Sequence, residues 1–305
     1  MGKLSNFICT RGLPGVAAAC FLLAGLAAAQ GLASTEPSAS ALIEKHAELK
    51  EQLERNQYRR PLFLESSQSA NTVDGSVYAI LASPFGAFSS TFKSPRQWCE
   101  VMILHLNNKY CRANADTAPT RLNVNIGKKS PQELKDAFAL EFGLNLVAAS
   151  PAYLSVLLSA DKGPLGTSNY RMALQAVPLP DNRTFMHLRY SYDFGAVSSL
   201  AMQAYLATVG RGKVGFTQVS QGDKPAHIGG MRGAAERNIM RYYLAIEAYQ
   251  ASLAQPAAEQ LNARLQSWFD ATEEYPQQLR EVDKASYLGM KKMEHQRQET
   301  VLPPG

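Results

Sequence analysis

The spacing of apolar residues divides the chain into helical and strand-like regions. Residues 38–58 carry leucines near heptad spacing behind a serine cap, which predicts a helix with a narrow apolar stripe. The next segment, RRPLFLESS, is predicted to be an extended connector, because Arg60 precedes a proline and is disfavoured in a helix. A strand-like pattern follows from Val73, and Phe88 and Phe92 then return to helical spacing.

A second helix and a β-rich stretch come next. Ser94 is suited to cap this helix and Pro95 to open it, and Trp98, Met102 and either His105 or Leu106 then fall on one face. Beyond it, six strand-like runs reach residue 192, separated by clusters of turn-forming residues. Their short connections favour antiparallel hairpins.

The run AFALEFGLNLVAAS indicates how these strands face the core. Phe138, Leu140, Phe142, Leu144 and Leu146 take one face in strict alternation. One face is therefore predicted to be buried and the other partly exposed to solvent, as in antiparallel sheets.

Helical spacing returns after the strands. It appears in AVSSLAMQAYLATVG and more strongly over residues 233–253, where Ile239, Tyr243 and Ile246 recur at spacings of four and three. A further helix over residues 257–275 and a charged tail from residue 277 complete the chain.

This order of elements resembles the helix-grip fold of the START-like (SRPBCC) superfamily. The resemblance is carried by GSVYAILASPFGAF, by SPRQWC at the start of the second helix, and by MRYYLAIEAY. It implies an α+β fold in which a curved antiparallel sheet wraps around a long C-terminal helix, with extra N- and C-terminal helices. It also implies an apolar cavity between sheet and helix, which the superfamily uses mostly for lipids, sterols and polyketide-like molecules. Residues 196–232 are an insertion relative to this pattern.

Four regions follow from these patterns. Residues 1–29 are predicted to be a signal peptide, because Lys3 and Arg11 precede an uncharged apolar run that ends in small residues, with cleavage near Ala29 or Ala33. A retained membrane anchor is the alternative. Residues 30–69 form an N-terminal helix and connector, residues 70–253 the START-like domain, and residues 254–305 a helical extension and tail. Cleavage and export imply a periplasmic protein.

Two of the four cysteines would remain after cleavage. In an oxidising compartment Cys99 and Cys111 are expected to form a disulfide, and the alternative is a reactive or metal-binding thiol pair near His105. Under the resemblance, a disulfide here would join the second helix to the next strand and fix one wall of the cavity.

Charge and motifs exclude several classes of function. The formal net charge of +5 falls to +3 without Lys3 and Arg11, which is too small a bias to indicate a nucleic-acid partner. We predict no cofactor, because the glycine-rich GRGKVG follows a helix and not a strand. No metal is predicted, because the histidines lack metal-binding spacing.

Candidate ligand-binding residues centre on two arginines of the long helix. Arg237 and Arg241 are four residues apart, so they repel each other unless solvent or an anion separates them. We predict that they meet an acidic headgroup or the carboxylate of Glu141, with Arg171 or Arg189; a solvated helix face is the alternative. The predicted set is Trp98, Met102, His105, Glu141, Arg171, His187, Arg189, Arg237, Arg241 and Tyr243.

Three functions are consistent with the sequence. The first is an exported carrier of a hydrophobic, lipid-like molecule, with peripheral membrane contact left open. The second is an enzyme acting on a lipid-like or polyketide-like substrate in the same cavity, with His187, Glu141 or a tyrosine of RYSYDF transferring protons. The third is an envelope module whose terminal helices bind a protein partner.

Overall fold

Helices lie at both ends of the described chain, and six of its strands follow one another between residues 108 and 193. A computed structural model describes residues 38–114, 119–208, 210–221 and 224–300, so the predicted signal peptide lies outside the described residues. The helices are α1 Ala39–Glu48, α2 Lys50–Glu54, α3 Phe85–Lys93, α4 Pro95–Met102, α5 Ala196–Ala207, α6 Gly230–Ser252, α7 Ala257–Glu273, α8 Pro276–Leu279 and α9 Lys284–Thr300. The strands are β1 Leu62–Gln68, β2 Thr72–Leu81, β3 Asn108–Asn114, β4 Arg121–Ile126, β5 Phe138–Ser150, β6 Tyr153–Lys162, β7 Ser168–Leu179, β8 Arg183–Asp193, β9 Gln218–Gln221 and β10 Lys224–His227.

Strands β1 to β8 form one antiparallel sheet in the order β1-β2-β8-β7-β6-β5-β4-β3. The strands β3 to β8 follow one another as neighbours, and β8 returns to lie beside β2. The predicted sequence of strand, two helices, six strands and long helix is therefore confirmed. The α+β fold class with extra helices at both ends is also confirmed.

The segment predicted to be a connector contains a strand. Residues 62–68 pair with β2 along their whole length, from Leu62 opposite Ala79 to Gln68 opposite Val73. Leu62 and Leu64 are buried because alternate side chains of an edge strand point to the core face. The sequence prediction took only the effect of the proline into account and missed this short alternation. The region boundaries at residues 70 and 254 stay predictions.

Helix α6 crosses the inner face of the sheet and is enclosed on all sides. It packs against β1, β2 and β8 on one side and against α7 on the other. Eight consecutive residues, from Ile239 to Ile246, are buried, which covers two full turns. This enclosure is the helix-grip arrangement.

The N-terminal helices cover the outer face of the same sheet. Ser38 caps α1 by accepting a hydrogen bond from the amide of Ala41. Three leucines of this region, Leu42, Leu49 and Leu53, then form a second, smaller core with outward side chains of the sheet such as Tyr78 and Phe185. The centre of the sheet is thus covered on both faces.

Strand β5 keeps the predicted alternation only in its middle. Leu140 and Phe142 are buried, whereas Phe138 and Leu146 are 41% and 43% exposed. A bulge between Leu146 and Ala148 shifts the register with β6, so the alternation does not continue to the end of the strand.

The charged tail forms a helix that is part of the core. Tyr287 of α9 stacks on Trp268 of α7 with ring centroids 4.9 Å apart. Lys291 donates hydrogen bonds to the carbonyls of His105 and Asn108 and to Glu294, at 2.7, 2.8 and 2.7 Å. Lys291 and Glu294 are thus buried as a pair, whereas Lys292 and Glu299 of the same helix are exposed. None of the helices in the described part of the chain combines the length and apolarity that a membrane crossing needs.

Candidate functional site

A cavity of about 290 Å³ lies between the inner face of the sheet and α6, with α5 along one side. Its position is the one that the resemblance implies, and the insertion supplies a wall through α5. The lining residues are Asn107, Lys129, Pro164, Leu165, Thr167, Tyr170, Tyr190, Tyr192, Ser198, Ala201, Met202, Tyr205, Met231, Ala234, Arg237, Asn238 and Arg241.

Three tyrosines form the wall on the sheet side. Tyr190 and Tyr192 are two residues apart on β8, so both point to the inner face, and Tyr170 lies beside them on β7. The ring of Tyr170 stacks on that of Tyr192 with centroids 5.1 Å apart. Burial raises the pKa of all three hydroxyls, so they stay protonated and can donate hydrogen bonds.

Two arginines form the wall on the α6 side. Arg237 and Arg241 lie one turn apart and are only 3% and 2% exposed, which excludes the solvated helix face. Burial is the main influence on both guanidinium groups and lowers their pKa, although each group stays charged at neutral pH.

The two arginines differ in how their charge is balanced. Arg241 forms an ion pair of 2.8 Å with Glu281, which also lies 2.6 Å from Lys129 and 3.9 Å from Lys213. Arg237 donates a hydrogen bond to the carbonyl of Val214 at 3.2 Å and forms no ion pair within the described residues. One carboxylate therefore faces three cations. Glu281 and Glu236 act on Arg237 only from a distance, so no carboxylate of the described residues is in direct contact with its guanidinium.

Lys129 adds an amine at the edge of the cavity. Its ammonium donates to the hydroxyl of Tyr205 at 3.1 Å and to Glu281 at 2.6 Å. Burial, followed by the positive charge of Arg241, lowers the pKa of Lys129 to about 8, while Glu281 acts in the opposite direction. In a fraction of the molecules, the Lys129 amine is therefore neutral slightly above physiological pH.

The structure brings only part of the predicted residue set to the cavity. Arg237 and Arg241 line it. His105 lies behind this wall, buried, with its ring stacked 4.8 Å from that of Tyr242. Burial and then the charges of Arg241, Lys291 and Lys129 lower the pKa of His105 well below its usual value, so it is neutral.

Three residues predicted for the site belong to the outer face of the sheet. His187 and Arg189 alternate with Tyr190 and therefore point away from the cavity, which corrects their predicted role. His187 stacks on Tyr78 with centroids 4.0 Å apart, and Arg189 pairs with Asp74. Arg171, next to Tyr170 on β7, is exposed on the same outer face.

The other predicted residues have structural partners elsewhere. Glu141 is exposed and pairs with Arg121, so it does not meet the arginines of α6. Trp98 is buried and donates its indole N–H to the carbonyl of Phe92 at 2.9 Å. Met102 is also buried in the main core. The hydroxyl of Tyr243 donates to Glu247 at 3.0 Å.

Cys99 and Cys111 form a disulfide, with their Cα atoms 5.1 Å apart. The bond joins α4 to β3, as the resemblance implied, and it excludes the alternative of a free thiol pair.

The sequence prediction missed much of the cavity wall. The spacing of Tyr190 and Tyr192 indicates that both lie on one face of a strand. The sequence prediction considered these tyrosines only for proton transfer. Lys129 and Glu281 are 152 residues apart, so no local pattern could link them.

Comparisons with known proteins find similarity only at the level of structure. No protein-family model matches the chain, and no curated protein matches its sequence. Human StAR-related lipid transfer protein 5 is similar over 71% of this chain and 98% of its own, at 10% identity and a TM-score of 0.37. A START superfamily protein from Mycobacterium smegmatis is similar over 46% of this chain and 89% of its own, at 11% identity and a TM-score of 0.31. Norcoclaurine synthase from Thalictrum flavum is similar over 48% of this chain and 86% of its own, at 16% identity and a TM-score of 0.32.

With TM-scores this low, we infer nothing about ligand or chemistry from these proteins. The strand order, the two helices after β2 and the enclosed helix α6 are properties of the chain itself. By these properties the chain has the helix-grip architecture of the START-like superfamily.

Proposed function

We propose that the protein binds a small hydrophobic molecule that carries an anionic group, in the cavity between the sheet and α6. The observation that supports this most is Arg237, a buried guanidinium on the cavity wall without a carboxylate partner in the described chain. A buried charge without a partner is costly, and an anionic ligand would supply the missing charge.

The two walls suggest how such a ligand would lie. Its apolar part would contact the rings of Tyr170, Tyr190 and Tyr192, whose hydroxyls can donate hydrogen bonds to polar atoms. Its carboxylate, sulfonate or phosphate would face Arg237, with Arg241 and Lys129 nearby. A cavity of about 290 Å³ is at the small end of the range for ligand sites, so we propose a compact ligand and not a two-chain lipid.

We further propose that the protein works after export. The N-terminal sequence pattern and the Cys99–Cys111 disulfide support this, since such bonds persist in oxidising compartments. N-terminal sequencing of the protein from its own cell tests it: a chain beginning at Gln30 or Ser34 supports export with cleavage, and a chain beginning at Met1 contradicts it.

The direct test of ligand binding is native mass spectrometry of the protein purified from its own cell. We expect a population that carries a small molecule and releases it on denaturation. The Arg237→Gln variant should lose this population, while the Arg189→Gln variant keeps it, because Arg189 lies on the outer face. Equal occupancy in both variants, or an unoccupied wild-type protein, would refute the proposal.

An enzyme in the same cavity is the second candidate, and Lys129 is the observation that favours it. An amine whose pKa is about 8, beside the hydroxyl of Tyr205, can exchange protons with a bound substrate near neutral pH. Conversion of an extracted ligand by the wild-type protein, and its loss in Lys129→Met, would distinguish an enzyme from a carrier.

Peripheral membrane contact is proposed for the rim of the cavity. Leu165, Val197 and Leu200 are 66%, 68% and 68% exposed, and Ser198 ties α5 to the carbonyl of Leu165 at 2.9 Å. An exposed apolar group of this kind is typical of interaction surfaces. Sedimentation with lipid vesicles tests it: we expect weaker binding by Leu200→Asp than by the wild-type protein, and equal binding would contradict it.

A further inference from the structure

Three potential metal ligands meet where α4 contacts α9, away from the cavity. They are Glu100, His295 and Glu299, and one ligand atom from each lies within 4.8 Å of the others. The Nε2 atom of His295 is 3.1 Å from both carboxylate oxygens of Glu100.

Helix geometry and the disulfide hold this cluster together. His295 and Glu299 are four residues apart, so they share one face of α9 and point towards α4. Glu100 follows Cys99, and the disulfide fixes that turn of α4 to β3. Two rigid elements therefore present an imidazole and two carboxylates to one point.

Gln298 supplies an independent indication of a ligand. Its side chain is 6% exposed, and its amide nitrogen donates to Glu100 at 3.3 Å. The amide oxygen is buried and has no hydrogen-bond donor in the described chain. Such an oxygen is costly unless a donor or a cation satisfies it, and rotation of the amide directs it towards the cluster.

The surroundings leave a cation access to the cluster. A surface pocket of about 300 Å³ opens onto Glu100, Gln298 and Glu299. Arg96 lies 3.5 Å from Glu299 but is 74% exposed, so it can swing into solvent. Arg264 is buried and lies 2.7 Å from Oε2 of Glu100. Arg264 would stay paired with this oxygen, and Oε1 of Glu100 would bind the metal.

We propose that Glu100, His295 and Glu299 bind a divalent transition-metal ion of the zinc type and so connect α4 to α9. One imidazole and two carboxylates form a ligand set that zinc accepts, with the Gln298 oxygen or a water as a fourth ligand. The sequence prediction of no metal missed this set, because Glu100 and His295 are 195 residues apart.

The test is zinc binding by the full chain, without a histidine tag and freed of metal, measured by calorimetry with zinc chloride. We expect one equivalent to bind, and we expect His295→Gln and Glu299→Gln each to weaken binding at least about tenfold. His227→Gln, in the β9–β10 hairpin, and Glu48→Gln, in α1, are matched controls that should bind as the wild type does.

A folding control keeps the outcome interpretable. The side chain of Glu299 is 46% exposed, so Glu299→Gln should fold, and its circular dichroism spectrum should match that of the wild type. At the same zinc concentration, zinc should then raise the melting temperature of the wild type more than that of Glu299→Gln. Absence of zinc binding, or binding that neither variant weakens, would overturn the proposal.

Discussion

Arg241 and Glu281 form a buried ion pair of 2.8 Å that links α6 to the segment after α8. Glu281 is also 2.6 Å from Lys129, so the same carboxylate holds the β4–β5 loop against the helix. Although burial raises the pKa of Glu281, the charges of Arg241 and Lys129 together lower it below its usual value. The cationic wall of the cavity thus depends on one carboxylate.

Replacing Glu281 with Gln should strongly destabilise the protein. The change leaves the buried Arg241 and the half-buried Lys129 without this carboxylate, and breaking a buried pair typically costs about 3–5 kcal/mol. Urea unfolding measures the effect, with Glu259→Gln on the exposed face of α7 as a control expected to change stability little. Equal unfolding midpoints for Glu281→Gln and the wild type would contradict this role.

His187 should make the protein less stable in mild acid. Burial, then the charges of Arg189 and Lys45, lowers its pKa from 6.5 to about 3. The unfolded chain therefore binds a proton below pH 6.5 that the folded chain does not bind until about pH 3. The contribution of His187 to the free energy of unfolding is therefore complete above pH 6.5, the pKa in the unfolded chain. It is lost as the pH falls below this value, by up to about 1.4 kcal/mol per pH unit.

Nuclear magnetic resonance can follow this imidazole directly. The resonances of His187 should not shift between pH 7.5 and about pH 4.5, because the folded chain keeps the ring neutral in that interval. A titration with its midpoint near the ordinary pKa of 6.5 would show that the ring is solvated and not packed against Tyr78.

Removal of α9 should unfold the whole chain. Without Tyr287 the indole of Trp268 loses its stacking partner, and without Glu294 the buried ammonium of Lys109 loses its carboxylate at 3.0 Å. A chain that ends after Asp283 should therefore lack a cooperative urea transition. An unchanged transition would instead favour the alternative in which the terminal helices serve only to bind a partner.

A pair of point variants makes the same comparison within α9. Tyr287→Ala removes a fully buried ring and should cost about 3–5 kcal/mol, in the range of large aromatic truncations. Met293→Ala, on the same helix but 56% exposed, should cost far less.

The disulfide should stabilise the protein by a moderate amount. A loop closed by residues 12 apart in sequence is expected to contribute roughly 2–3 kcal/mol, mainly by restricting the unfolded chain. The Cys99→Ser, Cys111→Ser double variant should lose this amount in urea unfolding. Tryptic peptides 97–109 and 110–112 should be recovered joined without reductant, and their separate recovery would contradict the bond.

The fold could be predicted further than the site. Periodicity identified β5 and α6, because the spacing of apolar residues within one element shows which of its faces is buried. The superfamily's order of elements then predicted the topology. The face that a strand presents to α6 depends on register across the whole sheet. His187 and Arg189 are two residues apart on β8 and share a face, but that face is the outer one, so their predicted role as ligand-binding residues was wrong.

Distance along the chain explains the remaining errors. Arg237 and Arg241 were identified as candidates because their spacing is a local signal. Lys129 reaches the same wall from a loop. Its partner Glu281 lies in the segment predicted to be a charged tail. No property of those two stretches alone shows that their charges are buried.

In the function that we propose, Arg237 recognises the anionic group of a hydrophobic ligand in the cavity. Two fluorescent probes separate charge from shape: anilinonaphthalene sulfonate carries a sulfonate, and phenylnaphthylamine has the same rings without it. We predict that Arg237→Gln weakens binding of the sulfonate about tenfold or more, since hydrogen bonds to charged groups contribute about 1.5–3 kcal/mol. Binding of the neutral probe, and binding of either probe to Arg189→Gln, should change less than about twofold. If Arg237→Gln binds the sulfonate as tightly as the wild type does, the account is wrong.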